Sequence, residues 1–244
     1  MIPGEIAGVN ERLARKAAAG YDPSAIKFQR YAEDLRLCTT YVGCDLFVCP
    51  RCLGRRIGRR VAMVEKLRGD ARASALDVLC LNVPDAVPSQ MLGKTLRKIC
   101  GAMFKLTKQN TVWAKQFSRW VGLVRIKAVP PLVPGTPTSF GFDVRILAER
   151  RKRLGVRDLR KSWWKSLKSE GLASLDDFPA KLVRALEDAG YTDRKSQAEL
   201  LGRWLCGTVD TWLSPIKTMS ADDVLAYQKV LPGVFNAAFR SKAH

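Results

Sequence analysis

The chain has 244 residues, 47% of them apolar, and carries 42 basic against 23 acidic residues for a net charge of +19. That apolar fraction builds one large domain or two small ones and excludes a disordered chain, and no run of about 18 apolar residues marks a membrane span. The opening Met1-Ile2-Pro3-Gly4-Glu5 lacks the apolar core of a secretion signal, and three of the seven cysteines (Cys80, Cys100, Cys206) are scattered in apolar stretches. A reducing, cytoplasmic interior is therefore expected.

In chain order, residues 1–37 read as two polar helical stretches separated by Gly20 and Asp22-Pro23. Residues 38–72 form a unit of another kind. Cys38, Cys44, Cys49 and Cys52 lie within fifteen residues, the last two as a Cys-x-x-Cys knuckle, in a segment with little apolar mass of its own. Four thiolates at such spacing enclose one tetrahedral Zn²⁺ at about 2.3 Å, and four filled positions make that zinc structural. A redox pair at Cys49 and Cys52, or four free thiols, are the competing readings, the former without the strand–helix–strand setting it needs. The helix that follows carries Ile57, Val61, Val64 and Leu67 on one stripe. Arg51, Arg55, Arg56, Arg59 and Arg60, with Lys66 and Arg68 beyond, are expected to face outward along phosphates.

Residues 73–170 carry the strands. Leu76 to Val83 reads as a buried strand stopped by Pro84, and a helix capped by Ser89 buries Leu92, Leu96, Ile99, Met103 and Leu106. Trp113, Phe117 and Trp120 precede a strand at Val121–Val129. The strand Phe140–Leu147 alternates cleanly, with Asp143 and Arg145 on one face. Strand, helix, strand, strand opens a split βαβ arrangement. A second basic cluster, Arg151-Lys152-Arg153, leads to a helix with Leu159, Trp163 and Leu167 inside. In 171–244, helices are expected from Ser174 to Gly190 (burying Phe178, Leu182, Leu186), over Gln197–Leu205, and from Ser220 to Leu231, the first and last with capping boxes.

From Ala86 to Phe142 no acidic residue occurs, while Lys94, Arg97, Lys105, Lys115, Arg125 and Lys127 fall inside that stretch. A field of one sign over such a length favours a polyanion, nucleic acid first, and the absence of an amphipathic anchor or lipidation motif argues against a membrane surface.

From about Phe28 to Leu231 the order of these pieces resembles the rolling-circle plasmid replication initiators. The most specific part is Cys44 to Cys52, with Cys49-Pro50-Arg51-Cys52 before a basic helix. Val78 to Pro84 is similar to that family's first strand motif, Gly122 to Lys127 to the strand beside its metal site, and Trp163-Trp164 to its tryptophan-bearing helix. The resemblance implies an α+β, HUH-endonuclease-like fold: an antiparallel sheet flanked by helices, with an N-terminal zinc-binding element and a helical C-terminal part. It implies origin DNA, duplex or single-stranded, as partner, with a helicase as a further candidate.

It also implies nicking and joining by a tyrosine, with Tyr191 the matching position and Tyr227 a lesser alternative. A tyrosine oxygen that attacks phosphorus stores the bond as a phosphotyrosine. Packed after a helix-ending Gly190, Tyr191 equally well serves only as a cap contact. The family's two metal-ligating histidines, which hold Mg²⁺ or Mn²⁺, fall on Asp143 and Arg145, and the only histidine in the chain is His244. Arginine cannot ligate a cation. Either Arg145 holds the phosphate in place of the metal, or Asp143 and Arg145 are a salt bridge where chemistry has been lost. Three readings thus stand: a replication initiator, a catalytically inactive DNA-binding regulator on the same fold, and a zinc-containing RNA-binding protein whose aromatics stack unpaired bases.

Overall fold

The computed structural model describes residues 3–19, 22–39, 43–44, 46–70, 76–129, 138–151, 156–173, 180–183, 194–236 and 239–240. Two helices, α1 (Pro3–Ala19) and α2 (Ser24–Leu37), form an N-terminal hairpin, and the cysteine segment leads into α3 (Pro50–Asp70). The central sheet contains β1 (Leu76–Asn82), β2 (Val87–Pro88), β3 (Phe117–Val129), β4 (Ser139–Arg150), β5 (Ala180–Val183) and β6 (Phe239–Arg240). Its order is β5-β1-β4-β3-β6 with β2 on β4, and every pairing is antiparallel.

That order is a split βαβ. β1 and β3 run parallel with β4 between them, and β4 and β5 run parallel with β1 between them. The crossovers run through α4 (Leu92–Phe104) and α6 (Val156–Ser169), which pack on each other, and the right-handed connection expected of such units puts both helices on the same side of the sheet. The period-two alternation makes this side wholly apolar: Leu79, Leu81, Val124, Val144 and Ile146 are fully buried or nearly so. Above them lie Leu92, Leu96, Ile99 and Met103 of α4 and Leu159, Trp163 and Leu167 of α6, and Trp163 Nε1 donates to the Asn82 carbonyl at 2.9 Å. Between α4 and β3 sits the short helix α5 (Thr111–Gln116), capped by the Asn110 side chain.

The opposite side of the sheet carries α7 (Arg194–Cys206), itself packed on α3. These two helices approach closely because α7 presents Gly202 to Val61. A Cβ there would lie 2.7 Å from Val61 Cγ2 and 3.1 Å from its Cβ. Gly202→Leu is therefore expected to push the helices apart and destabilise the fold by about 1–3 kcal/mol, read as a lower urea midpoint with unchanged m-value. Gly207, at φ +73°, turns the chain from α7 into α8 (Val209–Leu213). The last long helix is α9 (Ala221–Asn236).

Several expectations are corrected by these elements. Instead of a continuous helix from Ser174 to Gly190, residues 180–183 form β5, with Leu182 opposite Leu79. The free edge of β1 offers a hydrogen-bonding ladder that local helix propensity does not register; the rest of that helix lies outside the described residues. Phe117 and Trp120 belong to β3 rather than preceding it, on either side of a register shift, where Trp113 packs on both rings at 4.5 and 5.9 Å. Ser89 opens a 3₁₀ turn without a side-chain cap, so the α-helix begins only at Leu92. Helix α9 continues through Pro232 to Asn236, because Val234 and Phe235 are buried beyond it and that burial offsets the missing hydrogen bond. Its capping box is one-sided: Ser220 Oγ accepts from the Asp223 amide, but the Asp223 carboxylate accepts from Thr138 N.

Among the described residues no helix is long and apolar enough to cross a membrane.

Candidate metal centre and charged sheet face

The sulfurs of Cys38, Cys44, Cys49 and Cys52 all lie within 4.8 Å of one another. Individual separations are 3.7 Å for Cys38–Cys52, 3.8 Å for Cys44–Cys52 and 3.3 Å for Cys38–Cys49. A zinc with thiolates at about 2.3 Å spans a tetrahedron with edges of about 3.8 Å, so the four sulfurs are positioned to hold a metal ion and are compatible with structural zinc. Three of the four are buried and Cys44 is half-buried. Without a cation, burial pushes the Cys49 thiol up to about 11 and Cys44 higher still. A bound metal has to displace those protons and compensates the desolvated thiolates.

Local geometry explains the convergence. Cys49 and Cys52 straddle the first turn of α3, with the Leu53 amide donating to the Cys49 carbonyl at 2.8 Å, and so present both sulfurs to one side. Arg51 Nη1 donates to the Cys38 carbonyl at 2.6 Å, tying the incoming stretch of chain to the helix, and Arg55 Nη2 donates to Cys52 Sγ at 3.2 Å. The segment also has more apolar support than its composition suggests. Val48 and Leu53 are buried, and the Phe47 ring meets Phe235 of α9 at 5.9 Å.

The arginines of α3 divide into two sets. Arg51, Arg55 and Arg59 are exposed. Arg56 and Arg60, expected to face outward, are half-buried instead: Arg56 lies 3.9 Å above the Phe47 ring, and Arg60 donates to the Phe235 carbonyl. Their stems cover apolar surface where α3 meets α9, which a helical wheel of α3 alone does not reveal.

On the α7 side of the sheet the alternation exposes a different chemistry. Register brings Asp143 opposite both Asn82 and Arg125, and Arg145 opposite Cys80. Asp143 is only 1% exposed and accepts from Lys127 Nζ at 2.7 Å, with Arg145 Nε 3.6 Å from the same oxygen and Cys80 Sγ at 3.9 Å. Arg145 also donates to the Trp204 carbonyl of α7 and lies 5.0 Å from that indole's centre. Arg125 is buried; burial and then Arg145 lower its pKa, and its Nε has no hydrogen-bond partner among the described residues, nor has Asp143 Oδ1. Burial, then the Asp143 carboxylate, raises the Cys80 thiol. Three cations thus surround one carboxylate under a helix.

The sequence singled out Asp143, Arg145, Arg125 and Lys127, and the structure brings them together, but Arg125 lies beneath α7 rather than on an open surface. Sequence reasoning missed Cys80, Asn82 and Trp204; pairing β1 antiparallel to β4 in register was the signal for the first two. Arg151 is exposed at the end of β4, while Tyr191, Lys152 and Arg153 lie outside the described residues. Tyr227 is corrected as a nucleophile: it is buried, stacks on Phe140, and donates its hydroxyl to the Trp212 carbonyl at 3.0 Å, and burial pushes its pKa up. Of the tryptophans, Trp163 is core and Trp164 half-buried with Lys168 Nζ 4.9 Å from its ring.

No protein-family model, curated protein or solved structure matches the chain.

Proposed function

We propose that this protein binds specific duplex DNA in the manner of a rolling-circle replication initiator, through a zinc-anchored arginine helix. The observation that carries the reading is the position of the four thiols at the root of α3, the helix on which Arg51, Arg55 and Arg59 are exposed. A helix fixed at its first turn by a metal and along its length by α7 is a rigid carrier of phosphate-binding guanidinium groups, and such groups set register on a duplex. The net charge of +19 supplies the long-range attraction.

On this reading DNA lies along α3, and the charged sheet face, covered by α7, does not cut it. Asp143 is already neutralised by Lys127 and Arg145, and Arg145 is committed to Asp143 and to Trp204. A site in that state has neither a metal-ligating pair nor a free guanidinium aimed at phosphorus. The nicking reading retains one support, the excess of three cations over one carboxylate on a buried face, which suits a phosphate oxygen. The RNA reading is weaker, because the sheet face carries ions under a helix where a single-strand-binding sheet presents stacking aromatics.

The test is selection of bound sequences from a random duplex pool, followed by a denaturing gel of the selected sites, as duplex and single strands, with Mg²⁺ or Mn²⁺. A sequence consensus without a covalent adduct is expected. An adduct that disappears in Tyr191→Phe would establish nicking instead, and no enrichment over the starting pool would overturn specific duplex binding.

A further inference from the structure

The helices on the far side of the sheet from α3 are amphipathic in a way that apolar packing alone does not require. Along α4 and the π-helical turn after it, Lys94, Arg97, Lys98, Phe104 and Lys108, with Gly101 filling the one gap in the row, lie on the side opposite the buried Leu92, Leu96, Ile99 and Met103. Along α6, Arg157, Arg160, Lys161, Trp164, Lys165 and Lys168 do the same opposite Leu159, Trp163 and Leu167. The two helices pack on each other, and their C-terminal ends are pinned together by Lys105, whose Nζ lies 2.6 Å from Glu170 and 2.9 Å from Ser169 Oγ. Their solvent faces therefore form one continuous surface.

Two details give that surface a chemistry. Lys94, Arg97, Lys108, Lys161 and Lys165 are exposed and have no carboxylate partner among the described residues, so the field is not neutralised locally. Within the cationic rows stand two aromatics, Phe104, which is 54% exposed at the end of α4, and Trp164, half-buried on α6 with Lys168 above its ring. A track of cations interrupted by π-faces is the arrangement that holds an unpaired strand, with phosphates on the lysines and bases on the rings.

We infer that the α4–α6 surface is a second nucleic-acid site, specific for single strands, on the side of the sheet opposite the arginine helix. The inference rests on the DNA-binding reading above and extends it: the protein holds duplex on one side and the separated strand on the other. A duplex cannot use the rings, because its bases are stacked and paired, so the two sites discriminate by strand state rather than by sequence.

The experiment uses the full chain and fluorescently labelled probes of about 30 nucleotides, oligo-dT and the duplex selected on the protein, over a salt series. Phe104→Ala and Trp164→Ala are each expected to weaken oligo-dT binding by about 5- to 100-fold and to leave duplex affinity unchanged. Arg97→Ala with Lys161→Ala and Lys165→Ala is expected to lower the salt slope for oligo-dT by about 2, at roughly 0.7 for each phosphate no longer neutralised. All five residues are outside the core, and circular dichroism verifies that the variants remain folded.

Arg51→Ala with Arg55→Ala and Arg59→Ala, measured in parallel, separates the two proposals. Loss of duplex binding in that variant, with oligo-dT binding indifferent to the α4–α6 changes, would overturn this inference alone. A wild-type chain that binds neither probe would overturn the DNA-binding reading as well. Equal losses on both probes would contradict the single-strand assignment. Binding of the surface to vesicles of anionic phospholipid, with oligo-dT failing to compete, would assign it to a membrane instead.

Discussion

Cys49→Ser is expected to reduce the metal content from one ion per chain to none at micromolar zinc and to melt the first turns of α3. Cys49 is fully buried, its sulfur sits 3.3 Å from Cys38, and its carbonyl accepts the first hydrogen bond of the helix. A serine oxygen is a poor ligand for a soft thiolate site, and three thiolates without the fourth leave buried charge uncompensated. Metal binding in such a segment is largely folding free energy, so the loss runs to several kcal/mol. The sheet survives, because Val48, Leu53 and the Phe47–Phe235 pair tie the segment to a core that is formed mostly elsewhere. The measurements are zinc by mass spectrometry of the native protein and amide exchange along α3. One ion retained per chain after the substitution would contradict the four-thiol assignment.

Asp143→Ala is expected to destabilise the fold by about 3 kcal/mol and, in the molecules that remain folded, to tighten DNA binding at low salt. Removing the carboxylate leaves the buried Arg125 and the half-buried Arg145 with no counter-charge, which costs far more than an exposed ion pair is worth. Lys127 is half-exposed and turns to water at small cost, so most of the effect falls on the two arginines. Asp143→Asn, which keeps the shape and can still accept a hydrogen bond, is expected to lose less. Urea denaturation gives the stability and fluorescence anisotropy the affinity. A variant as stable as the parent would mean that the cluster is not organised around this carboxylate.

The same cluster illustrates how far sequence alone reaches. Period-two alternation placed Asp143 and Arg145 on one face of β4 without any partner strand in view. What lies across from them depends on register, which no local pattern specifies, so Cys80 and Asn82 stayed hidden although both are in a strand that the sequence made plain. The cover on that face was hidden for another reason: α7 reads as an ordinary helix, and only packing shows that Trp204 lies over Arg145. The cluster of four cysteines was the most legible feature because its members are close in the chain and their spacing is itself the signal. Strand β5 was the least legible. Leu182 fits a helical stripe equally well, and its true role is set by the edge of β1, far earlier in the chain.

The orientation of the α3 arginines lies between these cases. Exposure of Arg51, Arg55 and Arg59 follows from the helical period, whereas the inward turn of Arg56 and Arg60 follows from the Phe47 ring and from the Phe235 carbonyl of α9. That division makes the central claim, a metal-anchored arginine helix that binds duplex DNA, directly measurable. The decisive experiment is the salt dependence of binding to the selected duplex, for the parent chain and for Arg51→Ala with Arg55→Ala and Arg59→Ala. Because Arg51 and Arg55 also hold the Cys38 carbonyl and Cys52 Sγ, the comparison is made at equal metal content. The account predicts that the slope of log affinity against log salt falls by about 2 to 3, at roughly 0.9 for each phosphate no longer neutralised. An unchanged slope in a folded, metal-bound variant would mean that α3 does not touch the DNA.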